Sequence, residues 1–394
     1  MLERNPADIR DRVSLATIGR EWLRLGCIGF GGPPAHIALL RRLCVEQRHW
    51  LDAEQFEDGV SATSLLPGPA STQLAIFCAW RLRGVPGALL GGMCFIAPGL
   101  ALILALSAVF LATHPPIWIL GAATGAGAAV PAVALHAAWG LAPSSWRRAG
   151  TGRAQRARWP AYAVAGALAA AVVGPFLVLV LLLCGLAEVA VRHRNAGSGR
   201  PRSVSNLLVA AGVHTVTLAG LGALAWVAFK VGALSYGGGF VIVPLMQHDA
   251  VTTYHWMTGA QFLDAVALGQ ITPGPVVLTV AVVGYAAAGI AGGLLAVVVA
   301  FAPSFLFVIA GGLRFDQIRT SWSIKAFLLG AGPAVIGAIA GSSIPLGLEF
   351  HVSWQIPVLA GALLWFFVIR RGVVSGLVLA GLVGVLVALS GVPV

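Results

Sequence analysis

An all-α polytopic membrane protein made of two related, inverted halves is the fold class this sequence predicts, and three observations carry it. Apolar residues make up 58% of the 394 and charged residues 10%, with a mean hydropathy of +0.89. Several apolar runs exceed the roughly 20 residues a helix needs to cross a bilayer. The stretch Gly26 to Pro69 then returns as Gly232 to Pro275: at a constant offset of 206 positions, without a gap, fourteen of 44 aligned residues are identical. Shared composition matches some Gly, Leu and Val, but not His49-Trp50 with His255-Trp256, or Gln55-Phe56-x-Asp58 with Gln261-Phe262-x-Asp264. Pro67-Gly68-Pro69 and Pro273-Gly274-Pro275 keep the same register, so the chain is internally duplicated. Finally, each copy carries a Gly-Gly and a Pro-Gly-Pro segment through which no helix runs, because glycine has no helical preference and proline lacks an N–H donor.

The elements follow in order. Residues from about Val13 to Ile28 form a moderately apolar helix with Arg20, Glu21 and Arg24 at helical spacing, broken at Gly29-Phe30-Gly31-Gly32-Pro33-Pro34. A helix resumes near Ala35 and emerges at Arg41, Arg42 and Arg48; Asp52 then caps a helix that holds Phe56 and Val60 and stops at Pro67-Gly68-Pro69. Ala70-Ser71-Thr72-Gln73 start a new half-helix ending near Arg81 and Arg83, and its N-terminal N–H groups face whatever the break encloses. Broken backbone at membrane depth is tolerated only against protein or a water-filled cavity.

Two spans, about Gly84 to Ala112 and Ile117 to Trp139, precede a basic linker with Arg147, Arg148, Arg153, Arg156 and Arg158. An apolar block interrupted at Gly174-Pro175 reads as a hairpin of short spans, and a second basic linker (Arg192, Arg194, Arg200, Arg202) follows it. The pattern restarts at Leu207: Lys230, Tyr236-Gly237-Gly238-Gly239, then Thr272-Pro273-Gly274-Pro275. Spans near Gly289 to Gly312 and Ala326 to Pro345, joined by Arg314, Arg319 and Lys325, lead to a closing hairpin that turns at Arg370-Arg371. The expected units are residues 1–196, a basic cytoplasmic linker 197–205, and a second repeat 206–394.

Charge places the copies in opposite orientations. The first copy is basic around its motifs and uncharged at the next turn; the second carries Gln247, His248 and Tyr254 at the motif positions and is basic at that turn. By the positive-inside rule the halves face opposite ways, with the N-terminus cytoplasmic. Inverted repeats with broken helices at corresponding places are the pattern of alternating-access transporters, whose substrate sits near the midplane at the repeat interface.

Other classes lose ground on composition. The net charge of +11 lies in loops between apolar runs, which orients spans and gives no nucleic-acid surface. Five cysteines without CxxC spacing support no disulfide framework or metal site. The charged N-terminus has no cleavable apolar core. An enzyme is not expected: there is no DDxxD, HExxH or GxSxG, only fourteen acidic residues, and no cofactor signature. A channel or lipid-carrier flippase with the same breaks is the alternative architecture.

Single residues carry two readings each. His36, replaced by Ile242 in the second copy, contacts an anion or simply packs. Asp58 and Asp264 are coupling carboxylates, or caps and arginine partners. Arg24, Arg41, Arg42 and Arg81 attract an oxyanion to a vestibule, or set topology.

The run Phe30-Gly31-Gly32-Pro33-Pro34-Ala35-His36-Ile37-Ala38, with Trp50 and Leu66-Pro67-Gly68-Pro69-Ala70-Ser71-Thr72-Gln73-Leu74-Ala75, resembles the signature of the chromate ion transporter family. Tyr236-Gly237-Gly238-Gly239 with Thr272-Pro273-Gly274-Pro275 is similar to the C-terminal half of its two-repeat members. The resemblance covers nearly the whole chain. It implies chromate efflux across a bacterial inner membrane and chromate resistance, driven by the membrane potential or by exchange, with sulfate a chemically similar oxyanion. A homodimer is compatible with it.

On this reading a tetrahedral dianion is held by N–H groups and hydroxyls at the breaks: Gly31, Gly32, His36, Pro67, Gly68, Pro69, Ser71, Thr72 and Gln73 in the first half. Gly237, Gly238, Gly239, Gln270, Thr272, Pro273, Gly274, Pro275 and Thr279 serve in the second. Neutral donors suit a carrier that must also release its cargo.

Overall fold

The structure, a computed structural model, describes residues 13–64, 66–112, 115–150, 152–173, 177–195, 220–235, 242–311 and 321–394. All regular elements among these residues are helical, and the chain is a multi-pass membrane protein. The turn at Gly174-Pro175, the linker 197–205 and the Arg314/Arg319 turn lie outside the described residues.

Helix α1 (Leu15–Ile28) starts on Ser14, whose hydroxyl accepts the Thr17 N–H at 3.1 Å. Helix α2 (Gly32–Arg41) runs into a π turn (Arg42–Gln47) and is followed by α3 (Ala53–Thr63), capped by Asp52 on the Gln55 N–H at 2.6 Å. The long α4 (Ala70–Phe110), α5 (Ile117–Arg148) and the hairpin of α6 (Arg153–Leu168, prolonged by a π turn to Val173) and α7 (Leu177–Asn195) complete the first copy.

The second copy repeats the series: α8 (Leu221–Leu234), α9 (Ile242–Gln247) with its π turn (His248–Thr253), and α10 (Gly259–Ile271) under a Thr258/Gln261 capping box. A 3-10 turn (Val276–Leu278) leads into α11 (Thr279–Gly311), then come α12 (Trp322–Gly341), α13 (Ser343–Leu348), α14 (Gln355–Leu363, prolonged to Val368) and α15 (Val373–Leu389). Helices α1 and α8 and the two π turns occupy corresponding positions of the duplicated sequence. Backbone detail recurs as well: His49 and His255 both adopt positive φ, 50° and 53°, each separated from its π turn by one residue. Each sits on a chain that turns back, with Trp50 and Trp256 N–H bonding Cys44 and Ala250 carbonyls.

Neither α4 nor α11 is a straight rod. Arg83-Gly84 and Ala288-Gly289 have non-helical backbone, and beyond them the chain folds back on itself. A Cβ on Gly87 would strike the Ala79 carbonyl, and one on Gly92 would meet Ile76, contacts impossible in a helix where eight residues rise about 12 Å. Gly284 and Gly292 meet in the same way in α11. Each element is therefore a short arm starting at a Pro-Gly-Pro segment plus a second arm (85–110 or 290–311) long enough to span, and α5 and α12 supply further spans.

The helices pack through small residues. Gly26 of α1 approaches the Phe95 carbonyl of α4, and Gly232 of α8 the Ala300 carbonyl of α11, which explains why this glycine is repeated. The hairpins are exchanged between copies: α6 and α7 pack on α12, while α14 and α15 pack on α5. Gly166 and Gly337 seat against the Ala334 and Ala163 carbonyls in one exchange, and Gly125 against the Ala380 carbonyl in the other. Helices α4 and α11 join the copies.

Equivalent elements are seated differently. On α3 the buried residues are Phe56, Gly59, Ala62 and Thr63. Its counterpart α10 is buried nearly throughout, between α5, α11 and α15.

Candidate functional site

The Pro-Gly-Pro segment of each copy is hydrogen-bonded to the end of the first helix of the other. Gly68 donates its N–H to the Ser235 carbonyl at 2.5 Å, and Gly274 donates to the Gly29 carbonyl at 2.8 Å. Gly68 and Gly274 correspond in the duplication, and so do Gly29 and Ser235. Both donors have positive φ, 127° and 107°, which aims the N–H out of the turn and requires glycine. The breaks that the sequence separates by some two hundred positions thus meet as a reciprocal pair.

The chemistry around the two contacts differs. At Gly29, the His36 ring is 1% exposed and lies edge-on to Phe95. Its Nε2–H donates to the Gly29 carbonyl at 2.9 Å, so Nδ1 accepts from the Ser71 hydroxyl at 3.1 Å. The same Gly29 oxygen therefore serves His36 and Gly274. A Cβ on Gly29 would come within 2.8 Å of the Leu25 carbonyl and 2.9 Å of Nε2, so glycine is needed here. In the second copy Ile242 stands for His36 and Ser235 for Gly29, and both are fully buried.

At Gly68 the surroundings are polar. A Cβ there would lie 2.9 Å from the Ser304 hydroxyl and would strike the Gln73 amide. Gln73 Nε2 donates to the Pro67 carbonyl at 2.7 Å, pinning the turn to the first arm of α4. The hydroxyls of Ser235 and Ser304, both fully buried, and of Thr72, also fully buried, have no hydrogen-bond partner among the described residues; nor has Gln73 Oε1. A buried polar group without a partner costs about 1–3 kcal/mol, and of these Ser304 and Gln73 border Gly68 directly while Ser235 is joined to it through its carbonyl. On the Gly274 side the polar side chains His36 and Ser71 satisfy each other and Gly29, and Leu278 and Gly99 lie beside the segment.

The structure sorts the sequence-derived residues. Gly68, Thr72 and Gln73 lie at the polar contact, with Pro67 and Pro69 framing it; Gly274, Pro273, His36 and Ser71 lie at the other, where Gly99 closes on the Pro273 carbonyl. Gly31 and Gly32, with φ of 97° and 72°, form the turn into α2, and Pro275 precedes the 3-10 turn. Ser71 and His36 engage each other, and Gln73 spends its donor on Pro67, so these three hold the turn.

Thr272 and Thr279 differ from expectation as donors: their hydroxyls bond Leu268 and Val276 carbonyls at 3.0 and 2.8 Å, the habit of threonine at a helix end. Gln270 keeps an unpartnered Nε2 at the end of α10. Gly237, Gly238 and Gly239 lie outside the described residues.

The cations sit toward the surface. Arg41 pairs with Glu57 at 2.6 Å and Glu46 at 3.8 Å, Arg24 approaches Glu21 at 4.0 Å, Arg42 is exposed and Arg81 half-buried. Asp58 is half-buried on α3, and Asp264 is buried on α10.

Ser235 and Ser304 escaped sequence reasoning. Ser235 is the position that aligns with Gly29, one residue before the glycine motif, and that replacement was the available signal. Ser304 lies in the second arm of α11, outside the duplicated stretch, and only the packing of α11 on α4 brings it to Gly68.

A family model described as chromate transporter matches residues 16–189 and 222–388. A chromate transport protein of Cupriavidus metallidurans is 32% identical over 343 residues, covering 86% of this chain and 84% of its own. A probable chromate transport protein of Synechococcus elongatus is 30% identical over 349 residues, 85% of each chain. A chromate transport protein of Pseudomonas aeruginosa is 29% identical over 393 residues, 93% of this chain and 91% of its own. No solved structure matches.

Proposed function

Because the chain belongs to the chromate transporter family, we propose that it exports chromate from the cytoplasm by alternating access, and so confers resistance, with the anion bound at the polar side of the paired Pro-Gly-Pro contacts. The observation that carries the site is the set of unpartnered buried hydroxyls of Ser304 and Ser235, both at Gly68, and of Thr72 in the first turn of α4. Hydroxyls rotate to donate to an oxyanion, and the N-terminus of α4 adds free N–H groups and a positive dipole end. A tetrahedral dianion takes donors from several directions, which hydroxyls drawn from both copies supply. Release stays fast because no cation is paired with it.

Export has its own driving force. Moving a dianion out of a cell held negative inside by 100 mV is favourable by about 4.6 kcal/mol, a gradient of about two-thousandfold. The different seating of α3 and α10, one partly exposed and one enclosed, supports a cycle in which two inverted copies exchange environments. The surface arginines near α1 and α2 favour approach of anions from the cytoplasmic side.

The test is uptake of labelled chromate by everted membrane vesicles from cells that make the protein, with excess sulfate or phosphate in parallel. Uptake that collapses with the membrane potential is the expected result. The S235A/S304A variant loses about 1.5–3 kcal/mol of binding for each hydrogen bond to the charged ligand, a rise in KM of at least tenfold. Normal KM in that variant, correctly inserted, removes the site. Uptake of sulfate with no uptake of chromate moves the substrate to the other tetrahedral dianion.

A further inference from the structure

Asp264 and Asp58 correspond in the duplication but live in different surroundings. Asp58 is half-buried on α3; Asp264 is 8% exposed, in a stretch of α10 whose other residues from Phe262 to Ala267 are all apolar and buried. Its carboxylate rests on α5 at Gly127, where a Cβ would come within 2.6 Å of Oδ1, so only glycine leaves room for it.

Of the elements packed on α10, α9, α15 and the 3-10 turn carry no titratable side chain. The others carry His136, Arg147 and Arg148 (α5), Tyr285 (α11), Arg81, Arg83, Cys78 and Cys94 (α4), and His248 and Asp249 (the π turn), while Glu349, which accepts from Gln247, lies on Gly259 at the start of α10. None of these forms an ion pair or hydrogen bond with Asp264 among the described residues, and Asp249 is taken by Lys230 at 2.6 Å. A carboxylate enclosed in apolar surroundings without a cation is stable only with its proton on. Ionised, it draws toward water.

The position makes that proton consequential. Two turns beyond Asp264, α10 ends in the second Pro-Gly-Pro segment, whose Gly274 is bonded to Gly29. Whatever lifts α10 from α5 pulls on that contact.

We propose that Asp264 is the proton-carrying group that couples anion transport to the pH gradient. It is neutral while α10 is seated on Gly127 and ionised when α10 swings away. The proton is taken from one side and released to the other, with no bond made or broken in the anion. This rests on the chromate-transport reading above.

Purified protein in liposomes, with the membrane potential clamped, separates the two. The wild type is expected to carry out chromate–chromate exchange and to accumulate chromate at least tenfold when a pH gradient is imposed. In D264N the ratio of gradient-driven accumulation to exchange falls at least tenfold, and D264E restores it. Exchange in the wild type without any response to the gradient overturns the proposal, as does a D264N protein that responds like the wild type. Failure of the wild type to exchange chromate overturns the functional reading instead, and infrared spectroscopy then decides the proton. With carbon-13 aspartate, a protonated-carboxyl band at neutral pH that D264E shifts supports Asp264 as its carrier; no such band overturns it, whatever the substrate and whether or not D264N assembles.

Discussion

At Gly29/His36 and Ser235/Ile242 the two copies solve one packing problem in two ways. The first uses a histidine that holds Ser71 and the Gly29 carbonyl, and the second an isoleucine with a serine whose hydroxyl has no partner among the described residues. Either member changed alone is harmful. G29S sets a Cβ 2.8 Å from the Leu25 carbonyl and 2.9 Å from His36 Nε2, and H36I strips Ser71 of its partner. The double variant G29S/H36I removes the contact with the histidine and is expected to unfold later than the summed losses of the two single variants imply, with a coupling of about 0.5–3 kcal/mol in a thermal scan in detergent. Additive losses would contradict it. The repeated packing glycines give a second residue-scale prediction: G26A sets a Cβ 2.6 Å from the Phe95 carbonyl, and G232A drives one into the Ala300 carbonyl. Each is expected to cost about 1–3 kcal/mol. G140A, exposed in mid-helix with open space around it, should gain up to about 1 kcal/mol.

Among the elements, the α6–α7 hairpin is fastened by a buried acid. Glu188, 4% exposed, receives Arg158 Nε and Nη2 at 2.7 and 3.1 Å, Arg192 Nε at 2.6 Å and the Tyr162 hydroxyl at 3.2 Å. E188Q removes the charge from bonds worth about 1.5–3 kcal/mol and should lower the melting temperature, while E188D recovers part of the loss. Much at this scale was legible in the sequence. Asp52 caps α3, α4 starts at Ala70, and the chain reverses near Gly84, because caps, prolines and glycines act locally. What escaped depends on partners far along the chain. Threonines 272 and 279 read as donors until their own helix ends claimed them, and Ser304 became visible only when α11 crossed α4. The fold was therefore more legible than the site.

For the molecule as a whole, the exchanged hairpins make each copy incomplete. Alone, residues 1–196 would leave the α12-facing surface of α6 and α7 uncovered, and 206–394 the α5-facing surface of α14 and α15. Halves made separately should be degraded, and co-expressed halves should purify as a pair; a stable half on its own would count against this. Timing follows from the same exchange. A ribosome that has finished α7 must still make α8 to α11 before α12 appears, on the order of ten seconds at common elongation rates. During that wait the first hairpin stands in the bilayer with lipid where α12 will lie, kept closed by Glu188 and its two arginines. Assembly cannot run strictly from first helix to last, and the protein becomes whole only when its closing hairpin reaches back to α5.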